Sequence, residues 1–391
     1  MKKNPALRRS CVYACVVMIM LCALSAYSIG ESAVITLVFP SGARSLGMGE
    51  VGTALADQED ALFYNAAGLG VANSRWQGGA ITGFYENPLP AFDIYELYHT
   101  HIAGYYQFPG TYTHGIALDF NKVNFGRAEA INGTDTFEIS NSYEYVLSAA
   151  YGFNLERFGR KNHSFGITAK YIYSPLAPGY DSNGIAQGFA ADVGYLWQCM
   201  PNVRFGVTLQ NMGPNVSYLK HGGWDPLPFT INMALAYTGT VWAKDSVPLC
   251  KINAEVRADR EIVHTDSVKS PQPFWQALST SWPNDSLHYW PDEINWHAGV
   301  EAVWLNTVCY RAGILIDQVG KRFETHYGAG LRFFNHFQFD WYMINSPSGY
   351  MKSFFGGEGS NGSRHKQCGY SITMTRLFSW KAGDAEWFKK P

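Results

Sequence analysis

The stretch Ser164–Tyr173, SFGITAKYIY, decides the fold class because its residues alternate between two kinds of side chain. The odd positions from Phe165 to Tyr173 are apolar or aromatic, and the even positions from Ser164 to Lys170 are polar or small. A period of two places successive side chains on opposite faces of a β-strand. The stretch therefore predicts a strand with one apolar face and one polar face.

The same period recurs along the chain, for example in residues 202–210, 307–317 and 336–343. Counting such segments predicts about fourteen strands, an even number as in single-chain bacterial barrels. The predicted strands lie near residues 76–84, 98–107, 113–124, 141–153, 163–173, 187–198, 202–210, 229–239, 249–258, 294–304, 307–317, 325–334, 336–344 and 369–378.

Composition separates a membrane barrel from a soluble domain. Only 16% of the residues are charged, whereas 47% are hydrophobic and 15% are aromatic, and an ordinary soluble domain carries about 25% charged residues. Beyond the first 28 residues no apolar run approaches the roughly 18 residues that predict a membrane helix. A transmembrane barrel satisfies both observations, because one strand face meets lipid while the other lines a polar lumen. We therefore predict an all-β protein, a transmembrane antiparallel β-barrel.

The connections between predicted strands support this interpretation. Outer-membrane barrels alternate short periplasmic turns with longer extracellular loops, and here the connections after odd-numbered predicted strands are mostly long while the others are mostly short. A soluble β-sandwich gives no reason for such alternation. The predicted long connections lie near residues 85–97, 125–140, 174–186, 211–228, 259–293, 318–324 and 345–368.

The first 28 residues predict export through a cleaved signal peptide. Basic residues precede an apolar segment near 11–24, and the small residues Ala26 and Ser28 end the region. Cleavage removes four positive charges, so a formal net charge of −2 becomes −6. Such a chain is no polycation, and we expect no nucleic-acid partner. The predicted location is the outer membrane of a Gram-negative type of envelope, in contact with its lipid.

The stretch Gly47–Gly52, GMGEVG, matches the G-x-G-x-x-G pattern of dinucleotide-binding loops, but its context does not. No strand runs directly into it, and no acidic residue stands about 20 positions further on. We therefore expect no bound nucleotide. The stretch instead predicts a plug for a lumen that would otherwise leak. The predicted organisation is a signal peptide (1–28), a plug segment (29–75), the barrel (76–378) and a tail (379–391).

Several residues of the plug segment have predicted roles. The glycines allow a tight backbone in a confined space, and Arg44 is predicted to anchor the plug to carboxylates of the lumen. Residues 54–69 predict a short helical piece with Asp57 near its start, followed by the connection to the first strand. The predicted plug motif comprises Gly42, Arg44, Gly47, Gly49, Gly52, Asn65 and Gly68.

Charged side chains on the predicted inner strand faces suggest a polar network in the lumen, with a solvating or cross-linking role. Its predicted members are Arg311, Asp317, Arg332 and Asp340. No G-x-S-x-G or H-E-x-x-H motif occurs, so no catalytic residue is assigned and an enzyme is not expected.

Cysteine and histidine positions predict neither a cofactor nor a metal site. His99 and His101 would share a strand face, as metal ligands can, but a pair in the lumen or at the interface is the commoner meaning. The four cysteines beyond the leader are widely spaced without a C-x-x-C pattern, so their disulfide state stays open. They are Cys199, Cys250, Cys309 and Cys368.

The stretch Ser41–Gly70, SGARSLGMGEVGTALADQEDALFYNAAGLG, closely resembles the N-terminal signature of the PorV/PorQ family of the type IX secretion system, itself similar to the FadL fatty-acid channels. Residues 189–197, 209–229 and 311–343 also look like PorV segments. The resemblance implies a fourteen-stranded barrel with an N-terminal plug. It also implies a function, in which the protein binds the C-terminal signal domains of secreted cargo at the translocon and passes them to a surface attachment complex.

The chain departs from the family pattern at three places. Ala66 stands where the family usually has proline, Glu50 stands where a small residue is usual, and about a dozen residues follow Phe378. Two functions therefore stay open, secretion of cargo or a FadL-like channel that takes up hydrophobic small molecules. A channel needs a continuous apolar path, whereas a shuttle needs loops that bind partners.

Aromatic residues in the predicted long loops are candidates for partner binding, because exposed aromatic side chains are costly in water unless they pack on each other or on a partner. For Trp224 and Trp290, which lie near strand ends, a place in the membrane girdle is an equally good interpretation. The candidates are Trp224, Phe274, Trp275, Trp282, Tyr289 and Trp290.

Overall fold

The structure is a computed structural model, and it describes residues 32–57, 60–71, 79–88, 96–108, 112–132, 135–178, 184–220, 223–244, 247–263, 271–281, 293–317, 322–334, 336–346 and 365–377. Within these residues, fourteen strands close into one antiparallel barrel, which confirms the predicted fold class. Neighbours in the barrel follow chain order, and the last strand pairs with the first to close the wall.

The barrel strands differ in length, and the two longest are neighbours. Two further strands, β8 (Val216–Ser217) and β9 (Trp224–Asp225), pair with each other in a connection outside the barrel. The barrel strands are β1 (Ala80–Glu86), β2 (Tyr98–Phe108), β3 (His114–Asn132), β4 (Asp135–Asn154), β5 (His163–Pro175), β6 (Ile185–Met200), β7 (Val203–Met212), β10 (Thr230–Lys244), β11 (Val247–Glu261), β12 (Asn295–Trp304), β13 (Val308–Asp317), β14 (Arg322–Phe333), β15 (Phe337–Ser346) and β16 (His365–Thr375).

The outer face of the wall is apolar. Side chains that alternate along the strands point away from the lumen and remain exposed although they are large and hydrophobic, which water would oppose and lipid would favour. They include Ile81, Ile102, Leu118, Leu147, Ile167, Phe189, Val256, Val300, Ile314, Leu331 and Ile372.

Aromatic side chains form a belt near each end of this apolar face, as expected where a barrel meets two membrane interfaces. Near one end, the ring centroids of Tyr85 and Tyr370 lie 5.9 Å apart, and those of Tyr145 and Tyr173 lie 5.1 Å apart. Near the other end, the rings of Trp242 and Trp304 meet edge to face at 5.8 Å.

The two ends of the barrel have different connections. We call the end at Glu86, where β1 finishes, the long-loop end, and the end at Ala80, where β1 begins, the short-turn end. At the short-turn end, strands are joined by residues such as 201–202 and 305–307. This difference is the one that the sequence predicts.

One predicted long connection is wrong in detail. Residues 125–140 were expected to be a loop, but β3 and β4 run on as a hairpin to Asn132 and Asp135. The pairing register shifts around Gly126, which has a φ of 77°. Such a bulge interrupts the alternation by which the sequence reveals a strand.

The helices of the described residues are all short. No helix in the described part of the chain is long and apolar enough to cross a membrane. They are the α-helices Ala43–Leu46, Asp60–Phe63 and Phe274–Thr280 and the 3₁₀-helices Ile35–Leu37, Ala66–Gly70 and Leu155–Phe158.

The inner face of the wall surrounds residues 32–57 and 60–71, which we call the N-terminal segment. The backbone of Ala33 lies against Pro226 at the long-loop end, with an N···O distance of 2.8 Å. At the short-turn end, the Gln107 amide donates to the carbonyl of Val71 at 2.8 Å. Between these contacts the segment runs along the lumen, so residues from both its ends and its middle meet the wall.

Candidate functional site

Arg44 is the centre of the contacts between the N-terminal segment and the wall. Its side chain is completely buried, and its Nη2 nitrogen lies 3.1 Å from Oε2 of Glu301 on β12. Its other terminal nitrogen, Nη1, lies 2.5 Å from carboxylate oxygens of both Asp57 and Asp60. The guanidinium group therefore joins two parts of the segment to one strand of the wall.

Burial and neighbouring charge act in opposite directions on Arg44. Burial lowers the pKa of its guanidinium group, but the carboxylates of Asp57, Glu301 and Asp60 together raise that pKa well above its ordinary value. The side chain therefore stays charged. A buried charge of this kind is tolerable because it is paired and hydrogen-bonded on several sides.

The ionic network continues across the wall from Glu301. Arg311 donates to Glu301 at 2.8 Å and pairs with Asp340 at 2.7 Å. Gln338 connects Asp340 with Arg332 at distances of 2.5 and 3.2 Å. Three of the predicted lumen residues, Arg311, Arg332 and Asp340, thus belong to one network.

The fourth predicted lumen residue is elsewhere. Asp317 ends β13 at the long-loop end, where its charge acts on Arg322. The sequence places it correctly on a strand, but strand alternation alone does not tell how far along the lumen a side chain lies.

A second anchor is the carboxylate of Glu255 on β11. It accepts four backbone N–H groups from consecutive residues of the N-terminal segment, Gly52 to Leu55, at 2.9, 2.8, 3.1 and 2.6 Å. Hydrogen bonds to an ionised acceptor are roughly twice as strong as neutral ones. The carboxylate therefore fixes a turn of backbone that has no helix to satisfy its N–H groups.

Close approach of the segment's backbone to the wall explains one glycine of the sequence motif and one glycine of the wall. Gly49 has a φ of 75°, and a β-carbon built on it would lie 2.7 Å from the carbonyl oxygen of Ile314. On the wall, a β-carbon on Gly313 would lie 2.2 Å from the carbonyl carbon of Met48. Backbone atoms of the segment and the wall approach each other closely here, and the ring of His297 on the wall also lies 2.8 Å from the carbonyl oxygen of Gly49.

The other residues of the predicted plug motif lie along the same path. Gly42 precedes the helix Ala43–Leu46, Gly47 packs on Gly328 of β14, and Gly52 packs on the ring of Tyr64.

Asn65 and Gly68 lie toward the short-turn end. Asn65 accepts from the Ala67 amide at 3.1 Å and donates to the carbonyl of Thr53 at 2.8 Å. Gly68 faces the carbonyl oxygen of Ala56 so closely that a β-carbon would lie 1.8 Å from it.

At the long-loop end the contacts become apolar. Residues of the N-terminal segment pack here against inward side chains of β4, β5 and β6 and against the connection that contains β8. We call this set the luminal apolar cluster, and its members are Ala33, Val34, Leu37, Val146, Ile172, Ala186, Ala190, Val216 and Leu227.

A small polar group borders the luminal apolar cluster. The carboxylate of Glu144 accepts from the hydroxyl of Thr36 at 2.8 Å and from the hydroxyl of Ser174 at 2.8 Å. The phenol of Tyr218 also donates to Glu144, at 3.3 Å. Burial, and then the nearby charge of Glu144, raise the pKa of Tyr218, so its hydroxyl keeps its proton.

The predicted partner-binding aromatics have different surroundings. Trp224 and Trp275 are 58% and 56% exposed, whereas Phe274 packs on Phe229 with ring centroids 5.6 Å apart. Phe274 therefore has a partner within the chain. Trp282, Tyr289 and Trp290 lie outside the described residues.

The two wall carboxylates, Glu255 and Glu301, were not among the site residues predicted from the sequence. Both stand on predicted strands next to a residue that faces outward, Val256 beside Glu255 and Val300 beside Glu301. Because neighbouring residues of a strand face opposite sides, this alternation is the signal that identifies both carboxylates as luminal. Their partners are about 200 or more residues away along the chain, as for Glu255 with Leu55 and Glu301 with Arg44.

The four cysteines that the structure describes form no disulfide with one another. Cys199, Cys250 and Cys309 are buried and Cys368 is exposed. His99 and His101, which the sequence places on one strand face, both point inward and meet side chains of the lumen. His99 Nδ1 lies 2.7 Å from Glu86, and His101 Nε2 lies 2.5 Å from Asp119.

These features define a class of protein, a closed fourteen-stranded β-barrel with an apolar outer wall and a lumen that holds the chain's own N-terminal segment. No family profile and no curated protein matches this chain. Solved structures do share its fold. TodX from Pseudomonas putida is described as a toluene transporter. Its deltaS2S3 mutant, described as a monoaromatic hydrocarbon channel, is similar with a TM-score of 0.50 at 12% identity, over 86% of this chain and 99% of that chain.

Two further structures are similar at lower identity. The TodX deltaS2 mutant has a TM-score of 0.50 at 10% identity, with 86% of this chain and 98% of that chain covered. A FadL homologue from Pseudomonas aeruginosa has a TM-score of 0.42 at 9% identity, with coverage of 91% and 100%. The chain therefore shares the barrel fold of the TodX mutant structures.

Proposed function

We propose that this protein is an outer-membrane channel for hydrophobic small molecules, closed at rest by its N-terminal segment. The luminal apolar cluster carries the proposal. The lumen is also lined by charged side chains such as Glu301 and Arg311, and this cluster offers a place at the long-loop end where an apolar molecule would replace existing apolar contacts without burying a charge.

The N-terminal segment acts in this proposal as a plug that a ligand displaces in part. Val34 and Leu37 lie in the cluster and are 2% and 5% exposed. An apolar ligand would compete with these two side chains, while Arg44 and Glu255 hold the rest of the segment in place. The fold shared with TodX mutants described as hydrocarbon channels supports the same reading. The proposal assigns transport and no catalysis.

A second candidate function is transfer of secreted cargo by a type IX system. The exposed Trp224 and Trp275 at the long-loop end favour it, because large exposed aromatic side chains are typical anchors of protein interfaces. So does the sequence resemblance to the PorV/PorQ family. The partners in this case would be the translocon, the attachment complex and the C-terminal domains of cargo.

One deletion experiment distinguishes the two functions. A strain without the gene is compared with the same strain complemented by the wild-type gene, and uptake of labelled toluene and of a long-chain fatty acid is measured beside the surface proteome. The channel predicts slower uptake of at least one compound with an unchanged surface. Loss of large surface proteins with normal uptake would overturn the channel in favour of cargo transfer.

A further inference from the structure

Two carboxylates and one imidazole converge where the N-terminal segment meets β14. They belong to Glu50 in the segment and to Glu324 and His326 on the strand, and one ligand atom from each lies within 4.8 Å of the others. The site is separate from the network of Arg44, and the proposed transport function does not use it.

The ring of His326 has a fixed orientation. Its Nδ1 lies 2.7 Å from the carbonyl oxygen of Leu46, and because a carbonyl oxygen only accepts, Nδ1 must carry a proton. In the neutral ring the lone pair is then on Nε2. A metal-binding histidine almost always donates its other N–H to a carbonyl or carboxylate in this way.

The Nε2 atom of His326 makes only a long contact with a carboxylate. The residue is fully buried, and Nε2 has no hydrogen bond among the described residues. It lies 3.5 Å from Oε2 of Glu324. A neutral ring would thus turn its lone pair toward a carboxylate oxygen, an arrangement that a cation between the two atoms would stabilise.

The backbone at Glu50 supports a specific role for its side chain. Its φ is 64°, in the left-handed region that residues other than glycine seldom occupy. Strain of this kind is often retained at ligand-binding sites. The carbonyl oxygen of Glu50 accepts from Arg257 at 2.5 Å, which holds this backbone against the wall.

Arg322 also faces the site. Its Nε and Nη2 atoms donate to the two oxygens of Glu324 at 3.1 and 3.3 Å. This pair offsets one of the two negative charges, and each carboxylate oxygen keeps a further lone pair for a second partner. A divalent ion would then bind to an imidazole nitrogen and two carboxylates with moderate net charge around it.

We propose that Glu50, Glu324 and His326 bind a divalent transition-metal ion of the Zn²⁺ class. One imidazole nitrogen and two carboxylate oxygens are ligands that Zn²⁺ accepts, and three protein ligands leave a fourth position for water. Because Glu50 belongs to the N-terminal segment and the other two ligands belong to β14, the ion fastens the segment to the wall.

Metal binding is tested on the mature chain, folded in detergent without a tag and stripped of metal by a chelator. Equilibrium dialysis against Zn²⁺ with elemental analysis gives the stoichiometry, and the visible spectrum of added Co²⁺ reports the ligand set. The wild-type protein is expected to bind one Zn²⁺ per chain. If the wild-type protein binds no Zn²⁺, as it would when His326 is protonated and paired with Glu324, the proposal is overturned.

Two conservative variants identify the ligands. Glu50→Gln removes a charged ligand, and His326→Asn keeps an N–H donor for Leu46 but removes the Nε2 lone pair. Each is expected to weaken Zn²⁺ binding at least about tenfold, whereas His163→Asn, at a histidine remote from the site, leaves it unchanged. A heat-dependent gel shift checks that each variant is folded. Equal Zn²⁺ binding by folded variants and wild type would also overturn the proposal.

Discussion

The N-terminal segment meets the wall in two chemically different regions. In the middle of the lumen, Arg44 and the amides of Gly52 to Leu55 bind the buried carboxylates Glu301 and Glu255. At the long-loop end, Val34 and Leu37 pack among aliphatic side chains. Paired charges tolerate few substitutes, because breaking one buried pair leaves the other charge without a partner. Apolar contacts are non-directional, so another apolar group of similar size can replace them.

This difference assigns the two regions separate tasks within the proposed channel. The middle region fixes the position of the N-terminal segment. At the long-loop end, the apolar contacts of the segment can be exchanged for contacts with a ligand. Substitutions that separate these tasks should therefore affect leakage and ligand uptake to different degrees.

Arg44→Met should have the largest effect. It leaves Asp57 and Asp60 without their shared cation, while Glu301 keeps its pair with Arg311, at a cost of about 3–5 kcal/mol. We expect the middle of the segment to leave the wall, with a steady ion conductance in planar bilayers that the wild-type protein does not show. The matched control is Arg160→Met, at an exposed arginine in a turn. Equal conductance of Arg44→Met and wild type would contradict the assigned anchor.

Gly49→Ala should have an intermediate effect. The new β-carbon meets the carbonyl of Ile314, which adds about 1–3 kcal/mol of overpacking to the strain of a left-handed residue, about 1–2 kcal/mol. We expect sensitivity to large antibiotics to increase while the β-sheet content measured by circular dichroism stays constant.

The control for this substitution is Gly159→Ala. Gly159 has nearly the same φ, 77°, and nothing within 4 Å of its built β-carbon, so it reports the strain without the contact. Equal antibiotic sensitivity in the two variants would show that close approach to the wall is unimportant.

Leu37→Ala should change leakage least. It opens space in the luminal apolar cluster, but the segment remains anchored by Arg44 and Glu255, so we expect conductance to change by less than about twofold because only local opening is favoured. Uptake of toluene should instead become faster, since less apolar surface competes with the ligand. Leu118→Ala, on the lipid-facing wall, is the control. Faster leakage without faster toluene uptake would contradict the division of tasks.

The strands were predictable because their signal is local. A lipid-facing side chain every second residue is imposed by the membrane, and the segment around Phe165 to Tyr173 shows it without reference to any other part of the chain. Where a strand does not face lipid, this alternation of side chains disappears. The hairpin around Gly126 continues the sheet past a bulge, and its residues were predicted as a loop.

The candidate site was predictable only in part. Arg44 was expected to bind a lumen carboxylate because a buried guanidinium needs an anionic partner. Which carboxylate would serve was not predictable, since Glu301 and several others face the same lumen. The metal-ligand geometry around His326 was likewise absent from the sequence pattern, because Glu50 and Glu324 are far apart along the chain.

The sequence by itself thus determined a fourteen-stranded barrel and the presence of a glycine-rich segment before it. These properties follow from interactions between each residue and its surroundings, lipid on one face and polar groups on the other. The tertiary structure alone decided that Glu301 and Glu255 hold the segment and that Ile172 and Val146 receive its first residues. Closing the barrel brings strands from all parts of the chain around one lumen, so these pairings depend on position across the barrel rather than on distance along the chain.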